Sequence, residues 1–132
     1  MNISDAAYRK LEDVVTLLKI SYGLFFIVVG VDKFFNYIVN WHKYVSPYVL
    51  EYVDYTTLSY GVGVLEILLG LLVLTYWTRV GAYAIAVWIF VVIVNILSMK
   101  MYFDIAARDA LLLVGAVALA MIDEVSHLVK HK

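Results

Sequence analysis

The chain has 132 residues, of which 64% are hydrophobic and only 16% charged, with a mean hydropathy of +0.89. Soluble domains average about 45–50% apolar and about 25% charged, so a water-soluble fold of this size would leave large apolar patches exposed, and disorder is excluded with it. A formal net charge of −1 offers no basic surface to nucleic acid, and a sequence without cysteine can form no disulfide, thiolate metal site or CxxC redox pair.

Residues 1–13, MNISDAAYRKLED, are polar, carry both signs of charge and read as a short helix at the surface. The apolar run that follows from Val14 has no small-residue cleavage site and leads into Asp32 and Lys33, so it reads as a retained span rather than a removable signal. Crossing about 30 Å of hydrocarbon takes about 20 helical residues. Four segments qualify, at about 14–38, 56–77, 80–99 and 104–122, and they make one membrane domain of residues 1–132. Segments this long without alternation exclude barrel strands. Only a few residues around Arg79 separate the second span from the third, which predicts an antiparallel hairpin. The expected fold is therefore all-α, an integral membrane four-helix bundle with a short interfacial helix between its first and second spans.

An even number of spans puts both termini on one side. That side and the turn at 78–80 carry Arg9, Lys10, Arg79, Lys130 and Lys132, against Lys33, Lys43, Lys100 and Arg108 on the other, which favours cytoplasmic termini.

The connection at about 36–55 holds Tyr37, Trp41, Tyr44, Tyr48, Tyr52 and Tyr55, spaced three or four apart as on one side of a helix. Ser46-Pro47 is a good helix start, serine capping and proline fitting the first turn. The simpler reading is an interfacial helix whose rings form an aromatic belt; the sharper one is a portal through which a lipid-soluble ligand such as a quinone enters.

Polar residues within the spans say more, because each costs about 2.5–3.5 kcal/mol at a helix centre unless solvated or paired. Lys19, Gly23, Gly30 and Lys33 fall within about 40° of one line on the first helix, a stripe small in the middle and cationic at both ends. On the second, Ser59, Gly63, Glu66 and Gly70 put a carboxylate among residues that permit close backbone approach. Gly81, Trp88 and Asn95 recur every seven residues on the third, and the fourth has Asp104, Arg108 and Asp109 at its start, with Gly115 continuing the Arg108 face. Packing these faces inward builds the bundle and brings Glu66 to a cation, with Lys19, Lys33 and Arg108 as the candidates. The candidate intramembrane polar cluster is thus Lys19, Lys33, Glu66, Asn95, Asp104, Arg108 and Asp109. The pair reads as a structural lock in one view and as a functional carboxylate, moving protons or holding a polar head, in the other.

Other chemistry is largely excluded. The three histidines are His42 in the aromatic loop and His127 and His131 in the tail, so no haem is ligated from within the spans. His127 and His131, four apart, fit a solvated tail better than a metal site. There is no phosphate loop, and no catalytic residue or metal site is assigned.

The segments LLKISYGLFFIVVGVDKFF (17–35), YGVGVLEILLGLLVL (60–74), TRVGAYAIAVWIFVVIVNIL (78–97) and YFDIAARDALLLVGAVALA (102–120) resemble, in this order, the DoxX-like small membrane proteins of bacteria. The resemblance covers about residues 14–122. It implies a four-helix bundle in the bacterial inner membrane and family positions at Lys19, Gly30, Lys33, Glu66, Tyr102, Asp104, Arg108 and Asp109. Lys19 stands where the family usually has arginine, which removes a bidentate contact at that place. The resemblance further implies a link to membrane redox complexes and quinones. A chain with no intrinsic cofactor can carry electrons only through a bound organic group such as quinone. The expected role is a small membrane subunit or accessory protein of a larger, quinone-linked respiratory complex, in contact with lipid and with other subunits or copies of itself. The alternatives are a stand-alone quinone-binding oxidoreductase component and a membrane-protein assembly factor. A stoichiometric partner, retained quinone with turnover, and client-dependent capture distinguish the three.

Overall fold

A computed structural model describes residues 4–130 of the chain. Helix α1 spans Asp5–Phe35, a 3₁₀ turn Trp41–Tyr44, α2 the single turn Pro47–Leu50, α3 Tyr55–Val73, α4 Thr78–Ser98 and α5 Phe103–Lys130. Among the described residues, four helices, α1, α3, α4 and α5, are long and apolar enough to cross a bilayer.

Residues 5–13 do not form a separate surface helix. They continue into the first span, because neither glycine nor proline interrupts the run and Ser4 caps it, its hydroxyl accepting the Ala7 N–H at 3.2 Å. At 31 residues α1 is about 46 Å long, more than the hydrocarbon thickness, so its polar N-terminal turns project beyond the membrane. It ends three residues before the predicted limit, where Asn36 turns left-handed (φ 56°) and donates its N–H to the Asp32 carbonyl at 2.6 Å. Helix α5 likewise runs beyond 122, through Asp123 and Glu124, to Lys130.

The aromatic connection is not one helix with its rings on one side. Val45, in extended conformation, separates the 3₁₀ turn from α2, and the rings scatter: Tyr37, Tyr48 and Tyr52 are exposed, while Trp41, Tyr44 and Tyr55 turn toward the protein. The Ser46-Pro47 start is as expected, with the Ser46 hydroxyl accepting the Tyr48 N–H at 3.3 Å. At the opposite end, the buried Thr78 hydroxyl closes the α3–α4 hairpin on the carbonyls of Val73 and Thr75, each at 2.9 Å.

Helix α1 packs most extensively on α3 and α4 on α5, and α1–α5 and α3–α4 contacts close the ring. The first pair meets through glycine. A Cβ on Gly30 would stand 2.7 Å from the Gly63 carbonyl oxygen, and one on Gly70 2.6 Å from that of Gly23, so the two backbones touch at both levels. The second pair meets through alanine, with Ala82, Ala86, Ala116 and Ala120 buried around Ile85 and Leu119. Gly81 lets α4 start against the Val73 backbone, and Gly115 leaves room for the Tyr22 hydroxyl, which donates to the Leu112 carbonyl at 2.6 Å and ties α1 to α5.

Candidate functional site

The crossing of α1 and α3 at Gly30 and Gly63 sets the site. Lys33 and Glu66 each lie three residues past the crossing glycine of their own helix. Helical Cα–Cβ bonds tilt toward the N-terminus, so in an antiparallel pair the two side chains lean back toward the crossing and toward each other. They meet there: Lys33 Nζ lies 2.8 Å from Glu66 Oε2, with side-chain exposures of 10% and 7%.

Both carboxylate oxygens of Glu66 are engaged, because Trp88 of α4 donates its indole N–H to Oε1 at 3.2 Å. Lys33 has a second partner in Trp41, whose ring centroid is 3.7 Å from Nζ. This cation–π contact covers the pair from the loop side. Ser59 joins the helices once more, its hydroxyl donating to the Lys33 carbonyl at 2.9 Å.

Asp32 positions Trp41. Its buried carboxylate accepts the N–H groups of Tyr37 and Ile38 at 2.9 Å on Oδ1, and those of Val39 at 3.2 Å and of the Trp41 indole at 2.8 Å on Oδ2. A buried carboxylate with four donors is fully satisfied, and it organises the loop that follows. Asn95 of α4 holds the rest of that loop, accepting the Ser46 N–H at 3.0 Å and donating to the Tyr44 carbonyl at 2.7 Å. Tyr44 in turn sits edge-on to Tyr102, and Tyr55 packs on His42.

Of the three candidate cations, Lys33 is therefore the partner of Glu66. Lys19 lies 14 residues back along α1, about 21 Å away near the hairpin end, where it is half-buried. Arg108 is 69% exposed and pairs with its neighbour Asp109 at 3.8 Å rather than with Asp104, which is exposed. The seven polar residues proposed as one cluster thus divide: Lys33 and Glu66 form the buried centre, Asn95 anchors the loop, and Lys19, Asp104, Arg108 and Asp109 stand apart. His127 of the tail faces Asp123 of its own helix at 3.6 Å; His131 lies outside the described residues.

The sequence reading missed two contributors. In the sequence Asp32 marks only the end of an apolar run, although an acid at a helix end before a non-helical connection is well placed to collect free N–H groups. Trp88 shares a face with Gly81 and Asn95 by its spacing, which does not reveal that its N–H reaches Glu66.

Among the described residues, no fully buried side-chain nitrogen or oxygen lacks a hydrogen-bond partner. The site is a closed polar network at one end of an apolar bundle. No curated protein and no solved structure matches the chain. The family model that does match covers residues 14–98, from the apolar part of α1 through the end of α4, leaving α5 and its 102–120 motif outside; by that match the chain belongs to the DoxX family.

Proposed function

We propose that this chain is an accessory subunit of a larger, quinone-linked respiratory membrane complex, acting through its outer helix faces rather than through a reaction centre of its own. The observation that carries this reading is the saturation of the Glu66 centre: Lys33 and Trp88 occupy both its oxygens, and Trp41 covers Lys33. A bound quinone needs hydrogen-bond donors for its carbonyl oxygens. The donors here are Trp88 Nε1, whose single N–H goes to Glu66, and Lys33 Nζ, which gives one N–H to Glu66 and lies under the Trp41 ring, so drawing either toward a quinone weakens the hold on a buried carboxylate. The centre as it stands does not fit a quinone head, so the reading assigns quinone to the partner subunits. The outer faces are the remaining working surface, with Leu24, Phe25 and Val28 of α1, Phe90, Val91 and Val94 of α4 and Leu111 and Val114 of α5 exposed. Such faces serve lipid and a neighbouring subunit equally well.

The membrane is proposed to be the bacterial inner membrane, with the termini and the α3–α4 turn cytoplasmic, on the excess of Lys and Arg there. Extraction at native abundance in a mild detergent, a native gel and mass spectrometry of the co-migrating band test the role. Co-migration with a respiratory complex at fixed stoichiometry is expected. A lone band that retains quinone and turns it over would overturn the proposal in favour of a stand-alone quinone-binding component.

A further inference from the structure

The opposite end of the bundle carries a second group of charges that the Glu66 centre does not use. An open groove of about 300 Å³ lies between the α3–α4 turn, the first turn of α4 and the end of α5. Its walls include Tyr76 and Trp77 from the turn, Arg79 from α4, and Asp123, Glu124 and His127 from α5. It sits where the apolar stretches of α4 and α5 give way to charge, which is headgroup depth, and Tyr76 and Trp77 are both exposed there as interfacial aromatics are.

The groove presents both signs of charge, from Arg79 and from Asp123 and Glu124. Arg79 stands 3.6 Å from Glu124, each about half exposed, and His127 stands 3.6 Å from Asp123. Those separations exceed direct N–H···O hydrogen bonds, so the Arg79–Glu124 pair can open without losing one. The Asp123 side chain is 9% exposed and lines the groove, an acceptor whose burial limits the positions it can take. The volume is at the low end for ligand sites, suited to a headgroup rather than to a whole lipid.

From this arrangement we infer that the groove binds the headgroup of a phosphoethanolamine lipid, with the phosphate on Arg79 and the primary ammonium on Asp123 and Glu124 beside the Trp77 ring. A guanidinium suits phosphate oxygens. Two carboxylates and an exposed indole suit an ammonium that still has N–H donors. An anionic headgroup without an amine meets two like charges, and a quaternary amine offers no N–H to the carboxylates.

The test uses the full chain in mild detergent, titrated with dihexanoyl phosphatidylethanolamine, phosphatidylcholine and phosphatidylglycerol and with free phosphoethanolamine, and read by native mass spectrometry. The ethanolamine lipid should give a one-to-one adduct at least fivefold tighter than the choline or glycerol lipid. Arg79→Gln and Glu124→Gln, both at half-exposed positions that leave the fold intact, should each weaken that adduct at least fivefold, and Trp77→Leu should weaken it less. Free phosphoethanolamine binding as tightly as the lipid would support the same headgroup chemistry and make the soluble ester the ligand. Equal retention of all three lipids, or an unchanged ethanolamine preference in both Arg79→Gln and Glu124→Gln, would overturn the assignment.

Discussion

Removing one member of the Lys33–Glu66 pair should be far more damaging than removing both. In Lys33→Met, a carboxylate only 7% exposed keeps a single indole N–H, and stranding a buried charge in this way costs about 3–5 kcal/mol. In Glu66→Leu, the Lys33 ammonium retains the Trp41 ring at 3.7 Å, a desolvated contact of about 2 kcal/mol, so the loss falls at the lower end of that range. Glu66→Gln keeps one oxygen to accept from Lys33 but sets its NH2 against the Trp88 indole N–H and loses the charge, which predicts about 1–3 kcal/mol. The double variant Lys33→Met/Glu66→Leu replaces the pair with apolar side chains of similar volume and should return to within about 2 kcal/mol of the parent. The coupling should therefore be at least about 4 kcal/mol, measured by equilibrium unfolding of the four proteins in mixed detergent micelles. Additivity within about 0.5 kcal/mol would show that the 2.8 Å contact does not bind the helices and would remove the central argument about the site.

Three further outcomes are expected. Gly70→Ala should destabilise by about 1–3 kcal/mol, since its Cβ would stand 2.6 Å from the Gly23 carbonyl oxygen, whereas Gly61→Ala, with nothing within 4 Å, should be neutral or stabilising by up to about 1 kcal/mol; Tm in detergent separates the two. Asp32→Ala strips four N–H groups of their acceptor, so residues 36–41 should become cleavable by protease and Trp41 accessible to a collisional quencher, while the helices stay folded; unchanged protection would deny Asp32 its role in the loop. Asn95→Leu leaves the Ser46 N–H and Tyr44 carbonyl unpartnered and should cost about 1–3 kcal/mol, with faster amide exchange at Ser46 as the specific readout.

Composition and run length alone determined that this chain is a four-helix membrane protein. Hydrocarbon demands about 20 apolar helical residues per crossing, and backbone groups with no water must bond within their own segment, so the spans are visible in one dimension. Glu66 was legible as the charge needing a partner for the same reason, and the glycine stripe of α1 and α3 was legible because close approach leaves a periodic trace of small residues.

The partner was not legible. Lys19, Lys33 and Arg108 are equivalent as charges, and only the antiparallel crossing at Gly30 and Gly63, with the backward tilt of both side chains, selects Lys33. The loop shows the same limit. Aromatic spacing suggests one amphipathic helix, but the competing acceptors Asp32 and Asn95 draw the backbone N–H groups of residues 37–39 and Ser46 away from helical partners and leave two separate turns. Which residue lies in the membrane is set by hydrophobicity, a property each segment carries alone. Which residues meet is set by register between segments, and register exists only once the helices have packed.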